Sequence, residues 1–267
     1  IFSLAKRAER RRVAYAEGEE ERVLRAVQVV VDEGLARPTL IGRPAHVQAI
    51  QRDGLQLRMA QQTHAVQLKS SSDPAAIVGA DLVLCCVKSG DTEAAAQQLA
   101  PYLTADTLLM SLQNGVDNAT TLARLLPCRV IAAVVYVAVA LAGPGVVQHF
   151  GRGDLAIGAM PGGTQSSVPE WPTLQTLVDF FAGAMVPVRI VPDVAVELWA
   201  KLLVNCAYNA ISALAQLPYA RLAAMPGIRE MQHDIVREVI AVAAAQALEH
   251  VGQEHRTGRR CRRRRLA

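Results

Sequence analysis

The run Asp81-Leu82-Val83-Leu84-Cys85-Cys86-Val87 constrains the fold more than any other stretch of the chain. It is apolar without alternation and too short to span a bilayer, so it reads as a strand buried on both faces. Strands of that kind belong to parallel sheets covered by helices on each side. The run ends in Lys88-Ser89-Gly90-Asp91-Thr92, and a helix is predicted from Thr92 to Leu99. A second run, Leu108-Leu109-Met110-Ser111-Leu112, ends in Gln113-Asn114-Gly115 and precedes a helix over Asn118 to Leu126. Both polar turns thus fall at carboxyl ends of strands, where ligands bind in open α/β sheets.

The rest of the first half repeats this alternation. Residues 11–18 begin as a short strand, and Val23, Ala26, Val27, Val30 and Val31 then form a helical stripe within Glu19 to Gly34. Thr39 to Gly42 reads as the next strand, which completes a βαβ unit. A helix is expected over Pro44 to Arg52, short strands at Leu55–Leu57 and Ala65–Leu68, and a short helix over Asp73–Gly79 capped from Ser72 or Asp73. Val130 to Val139 is a further strand, and Gly143-Pro144-Gly145 a turn into residues 146–150 and 154–158, read as a hairpin pair. The Pro/Gly/Ser-rich stretch at 160–170 is the expected domain boundary. Beyond it come helices at 171–184, 194–215, 218–224 and 227–250, with a short strand at 186–191.

These elements predict an α/β fold: a Rossmann-like doubly wound parallel sheet over residues 1–165, followed by a mostly α-helical second domain over 166–250. Residues 251–267, an arginine-rich tail, are expected to be disordered. At 267 residues the chain can bury a sizeable core, and no apolar run reaches the length of a membrane span. The start lacks an apolar core of signal-peptide length, so the expected compartment is the cytoplasm. The five cysteines include the adjacent Cys85 and Cys86 but no CxxC pair, a pattern of reduced thiols rather than disulfides or a zinc site.

In the second half, Lys201, Asn205 and Asn209 stand four residues apart within an apolar segment. On a helix that spacing stacks them on one face. A column of one ammonium and two carboxamides is suited to a polar ligand, since a buried amide needs partners. The plainer alternative is a lysine that snorkels to water, with both asparagines bonded to nearby backbone.

One ordered set of motifs runs through the middle of the chain: Leu40-Ile41-Gly42-Arg43, Asp81 to Lys88, Leu112-Gln113-Asn114-Gly115-Val116, Pro144 to His149 and Trp199 to Asn205. By that set this part of the chain resembles ketopantoate reductase (2-dehydropantoate 2-reductase). The resemblance covers about residues 39 to 250. Residues 1 to 43, with Ala14-Tyr15-Ala16-Glu17-Gly18-Glu19-Glu20-Glu21, instead look like the phosphotransacetylase-type region of bacterial NADP-dependent malic enzyme. The chain therefore reads as a chimera, with its arginine-rich end standing where the family would carry further helices.

The resemblance implies reduction of a 2-keto acid by NADPH, with NADP(H) as the cofactor and a small-molecule substrate. It assigns Lys201 as the catalytic residue, and Asn205, Asn209 and Asn114 to substrate binding. Arg43, Lys88 and Asn114 are the cofactor-binding residues it implies. An ammonium can stabilise and protonate the ketone oxygen as charge develops there, and neutral amides can hold polar atoms without adding a charge beside it. His149 falls in the family pattern but reads as structural, and Glu197 as an i,i+4 partner of Lys201.

One departure bears on the cofactor. The turn after the first strand, where a dinucleotide-binding fold carries G-x-G-x-x-G, reads Glu17-Gly18-Glu19-Glu20-Glu21. Carboxylates suit the helix dipole there but repel a pyrophosphate. The expectation is therefore that this chain binds NADPH weakly or not at all. Rival readings are an inactive chimera and a related NADP-dependent 2-keto acid or hydroxyacid dehydrogenase. The net charge of +4 rests on the seven arginines of Arg256 to Arg265, and that tail has no aromatic residue for base stacking. No specific nucleic acid and no membrane are expected as partners; a homodimer is compatible with the sequence.

Overall fold

The computed structural model describes residues 11–16, 36–59, 62–159 and 171–263. The chain divides into two compact units, Ile1–Val194 and Ala195–Ala267. In the first, β1 (Arg11–Ala16) and β2 (Ala36–Ile41) lead to α1 (Pro44–Asp53), then to β3 (Leu55–Met59), β4 (Gln62–Val66) and β5 (Lys69–Ser71). A 3-10 turn at Pro74–Ile77, capped by Asp73 through the Ala75 N–H, precedes β6 (Leu82–Cys85). Next come α2 (Thr92–Leu99), β7 (Leu108–Ser111), α3 (Asn118–Leu125), β8 (Arg129–Gly143) and β9 (Val146–Gly158). α4 (Trp171–Gly183) and β10 (Val188–Ile190) complete the unit.

Six strands run parallel in the order β5-β2-β1-β6-β7-β8. From β1 the chain moves outward through β2 and β5, then returns to the other side of β1 and moves outward through β6, β7 and β8. That reversal puts a topological switch point between β1 and β6, the signature of a doubly wound sheet. The uninterrupted apolar runs explain the middle of the sheet: all of Leu82–Cys85 and Leu108–Ser111 are buried. Leu84, Met110, Ile131, Leu57 and Ile157 belong to one core cluster. Each such side chain, fully removed from water, contributes about 1.5–3 kcal/mol. α2 packs against α3, burying Ala96, Leu99, Ala119 and Leu122.

Three expectations change. First, residues 146–150 and 154–158 do not pair with each other; they form one strand, β9, antiparallel to β8. Gly151-Arg152-Gly153 reads in sequence as a turn but makes a bulged stretch, with φ of +151°, +63° and +153° and register shifts opposite Tyr136/Val137 and Ala138/Val139. Arg152 holds that conformation while paired to Asp154 at 2.9 Å and stacked 4.7 Å over the Tyr136 ring. Second, α4, which follows the expected boundary stretch, packs on the sheet: Leu174, Leu177 and Phe181 join its core cluster. Third, the sheet gains the short polar edge strand β5, which carries no apolar alternation to announce it.

The second unit holds α5 (Val194–Ala215), whose first residue closes the first unit, α6 (Tyr219–Leu222) and α7 (Ile228–Arg263). Ile211, Leu222 and Ile228 form its core, with Ile235 against them. Gln232 is buried and donates to the Ala207 carbonyl at 3.1 Å, tying α7 to α5. α7 runs on to Arg263, past Gly252 and into the stretch expected to be disordered. The two glycines of that stretch, Gly252 and Gly258, cost only about 1 kcal/mol each, and Arg, Gln and Glu are good helix formers. α5 has the length and composition to cross a membrane, although no unbroken apolar run of that length exists; Glu197 and Lys201 interrupt it. Cys85, Cys86, Cys128 and Cys206 are free thiols. The predicted helix within Glu19–Gly34, the Glu17–Glu21 turn and the 160–170 connection lie outside the described residues.

Candidate functional site

The parallel strands bring three of the predicted residues to one edge of the sheet. Arg43 follows β2, Lys88 follows β6 and Asn114 follows β7, so all three stand at carboxyl ends. Arg43 is exposed and caps α1 in extended conformation (φ −66°, ψ 149°). Its carbonyl accepts from the His46 and Val47 N–H groups at 3.0 and 3.1 Å, and Pro44 sets the helix start. Lys88 is exposed, directly before a 3-10 turn at Ser89–Asp91; its carbonyl accepts from the Asp91 N–H at 2.8 Å, and its ammonium has no ion-pair or hydrogen-bond partner among the described residues. Asn114 is exposed, and its side-chain amide has no partner among the described residues.

Beneath these exposed groups lies a polar network that sequence reasoning did not single out. Gln113 is buried; its amide donates to the Val87 carbonyl at 2.9 Å and to Thr92 Oγ1 at 2.8 Å. Its Oε1 accepts from Ser111 Oγ at 3.1 Å and from Cys85 Sγ at 3.6 Å. Asn118, also buried, donates to Ser89 Oγ at 3.0 Å and to the Asn114 carbonyl at 2.7 Å, and its Oδ1 faces the Thr92 hydroxyl at 2.8 Å. The signal was present in the two polar turns after buried strands, since side chains that end apolar runs must find partners.

Lys201, Asn205 and Asn209 lie on α5, in the second unit, at the four-residue spacing expected of one helical face. Lys201 and Asn205 are half-buried and Asn209 is exposed. The Tyr219 hydroxyl donates to Asn209 Oδ1, and the Tyr208 and Tyr219 rings lie 5.3 Å apart. Asn209 therefore keeps its N–H2 group for other partners. His149 is half-buried, with Nε2 3.0 Å from the Arg152 carbonyl in the β9 bulge, which agrees with a structural role.

Comparison with known proteins resolves the family. The ketopantoate reductase PanE/ApbA family model matches residues 31–162, and its C-terminal counterpart matches 193–264. A 2-dehydropantoate 2-reductase of Halobacterium salinarum is 33% identical over 223 residues, 82% of this chain and 71% of that protein. The chain belongs to the ketopantoate reductase family. A solved ketopantoate reductase of this family from Ralstonia eutropha JMP134 superposes with a TM-score of 0.77 at 44% identity, over 88% of this chain and 75% of that one. The family match starts before residue 39 and ends after residue 250, so the likeness reaches into the arginine-rich stretch. An NAD-dependent malic enzyme of Rhizobium meliloti is 52% identical over 59 residues, 22% of this chain and 8% of that protein. That short match agrees with a chimeric chain.

The family uses NADPH. Two exposed cations and a carboxamide at the carboxyl edge are group types suited to phosphate and ribose, whereas Glu17-Gly18-Glu19-Glu20-Glu21 is unsuited to a pyrophosphate. Both cations sit at strand ends on either side of the switch point between β1 and β6.

Proposed function

We propose that this chain is an NADPH-dependent 2-dehydropantoate 2-reductase that converts ketopantoate to pantoate for pantothenate and coenzyme A synthesis in the cytoplasm. Membership of the family supports the reaction class. The placement of Arg43 and Lys88 at strand ends on either side of the switch point, with Asn114 at the end of the next strand, is the observation that carries the cofactor assignment.

In this reading Arg43 meets the 2′-phosphate, where a guanidinium fork suits a phosphate better than an ammonium does. Lys88 neutralises cofactor phosphate or orients ribose, and Asn114 contacts both the nicotinamide ribose and the substrate. NADPH, when bound, supplies the hydride that adds to the ketone carbon. Lys201 holds its ammonium at the ketone oxygen, stabilises the charge developing there and gives up a proton to it. Asn205 and Asn209 hydrogen-bond substrate hydroxyl or carboxylate oxygens; for Asn209 the N–H2 group serves, because Tyr219 occupies its oxygen. The solvent returns the proton to Lys201 after release.

Initial rates with ketopantoate and with other 2-keto acids, at millimolar NADPH, test the assignment. Ketopantoate should give the highest kcat/KM. A higher value with an unbranched 2-keto acid would move the chain to a different dehydrogenase specificity.

A further inference from the structure

We infer that Asn118 and Ser89 are positioning residues: with Gln113 and Thr92 they clasp the loop carrying Lys88 to the loop carrying Asn114, so both groups are presented as one rigid unit. The inference rests on the cofactor assignment above but concerns residues that make no contact with the reacting atoms.

The bonding is complete and crosses between loops. Both N–H groups of the Asn118 carboxamide are used, one on Ser89 Oγ (3.0 Å) and one on the Asn114 carbonyl (2.7 Å). Ser89 Oγ donates in turn to that same carbonyl at 2.7 Å. The Asn114 backbone is thereby held from two sides, by its own loop and by the residue next to Lys88. The Thr92 hydroxyl, which accepts from Gln113, shares its proton between Asn118 Oδ1 (2.8 Å) and the Ser89 carbonyl (2.9 Å). Gln113 reaches across to the Val87 carbonyl at 2.9 Å, directly ahead of Lys88. Gln113, Thr92 and Asn118 are all buried, so an unmade bond here goes uncompensated by water. The exposed Lys88 and Asn114 side chains have no partner among the described residues; besides the Asp91 N–H on the Lys88 carbonyl at 2.8 Å, the side-chain bonds that join their two loops are those of this clasp. Pre-ordering both loops removes a cost otherwise met when the ligand binds.

Asn118→Ala and Ser89→Ala in the full chain test this by amide hydrogen exchange and NADPH fluorescence titration. Exchange should speed by about tenfold in both 87–92 and 112–118 for either variant, with β8 and β9 unchanged. The NADPH dissociation constant should rise by about tenfold, the loss of roughly one net hydrogen bond. Ser89 is exposed, so its variant carries the test if Asn118→Ala fails to fold. Uniform acceleration across the sheet, or a Ser89→Ala effect confined to its own loop, overturns the clasp. Local acceleration in both loops with an unchanged dissociation constant upholds the coupling. That outcome overturns its positioning role alone; the assignment of Lys88 to the cofactor falls only if Lys88→Ala also leaves the dissociation constant unchanged.

Discussion

Gly115 has a φ of +107°, and a Cβ there would lie 3.0 Å from Asn118 Nδ2 and 3.4 Å from Ser89 Oγ. Both the conformation and the space demand glycine, so a side chain at this position attacks the clasp at its tightest point. Gly115→Ala should cost about 1–3 kcal/mol by chemical denaturation, and an unchanged midpoint would show that the loop relaxes freely. Lys201 belongs to the same scale. Its replacement by Ala should lower kcat by roughly 10²- to 10⁴-fold while circular dichroism stays that of the unmodified chain. Retention of kcat would remove it from proton transfer. The candidate residues themselves were legible: the four-residue spacing of the Lys201 column and the polar turns after buried strands pointed to them directly. Their supports, Ser89, Thr92 and Asn118, were not, because a hydrogen bond joining residues 89 and 118 has no local sequence signal.

Among the elements, β6, β7, α2 and α3 were readable to within a residue or so, because their apolar periodicity is set by burial on defined faces. The β9 bulge was not readable, since Gly-Arg-Gly has the same composition whether it turns a hairpin or kinks a strand. Nor was the allegiance of α4, as an apolar helical stripe does not say which core it enters. Phe181, 2% exposed, tests that allegiance. Phe181→Ala should destabilise the sheet-containing unit by about 3–5 kcal/mol, read as faster hydrogen exchange in β9. A change confined to α5 and α7 would return α4 to the second unit. Cys128, which precedes β8, gives a pH test. Burial pushes its thiol from an ordinary 9.0 up to about 11. Folding therefore favours the protonated form, so this contribution is intact below pH 9 and is lost as pH rises toward 11. The loss should be on the order of 2 kcal/mol, measured as the difference between the chain and Cys128→Ala across that window. Parallel stability profiles for the two proteins would contradict it.

For the whole molecule, the family and the doubly wound class followed from the order of buried strands and the linked motifs, whereas the packing of α4 on the sheet is reported by no local pattern. The departure at Glu17-Gly18-Glu19-Glu20-Glu21 has the largest functional consequence. We propose that carboxylates at the position where a dinucleotide-binding fold offers backbone N–H groups to a pyrophosphate weaken cofactor binding by like-charge repulsion. NADPH affinity should accordingly be weaker than micromolar, and replacing residues 17–23 with a glycine-rich turn should tighten it by roughly tenfold or more. Micromolar affinity in the unmodified chain would contradict this. The central claim, that Lys201 protonates a ketone reduced at the expense of NADPH, is tested most directly by single-turnover oxidation of NADPH with enzyme in excess. With ketopantoate present, NADPH should be consumed with one pantoate formed per cofactor, and Lys201→Ala should slow both by roughly 10²- to 10⁴-fold; oxidation that is independent of ketopantoate, or equal in the variant, would contradict the account.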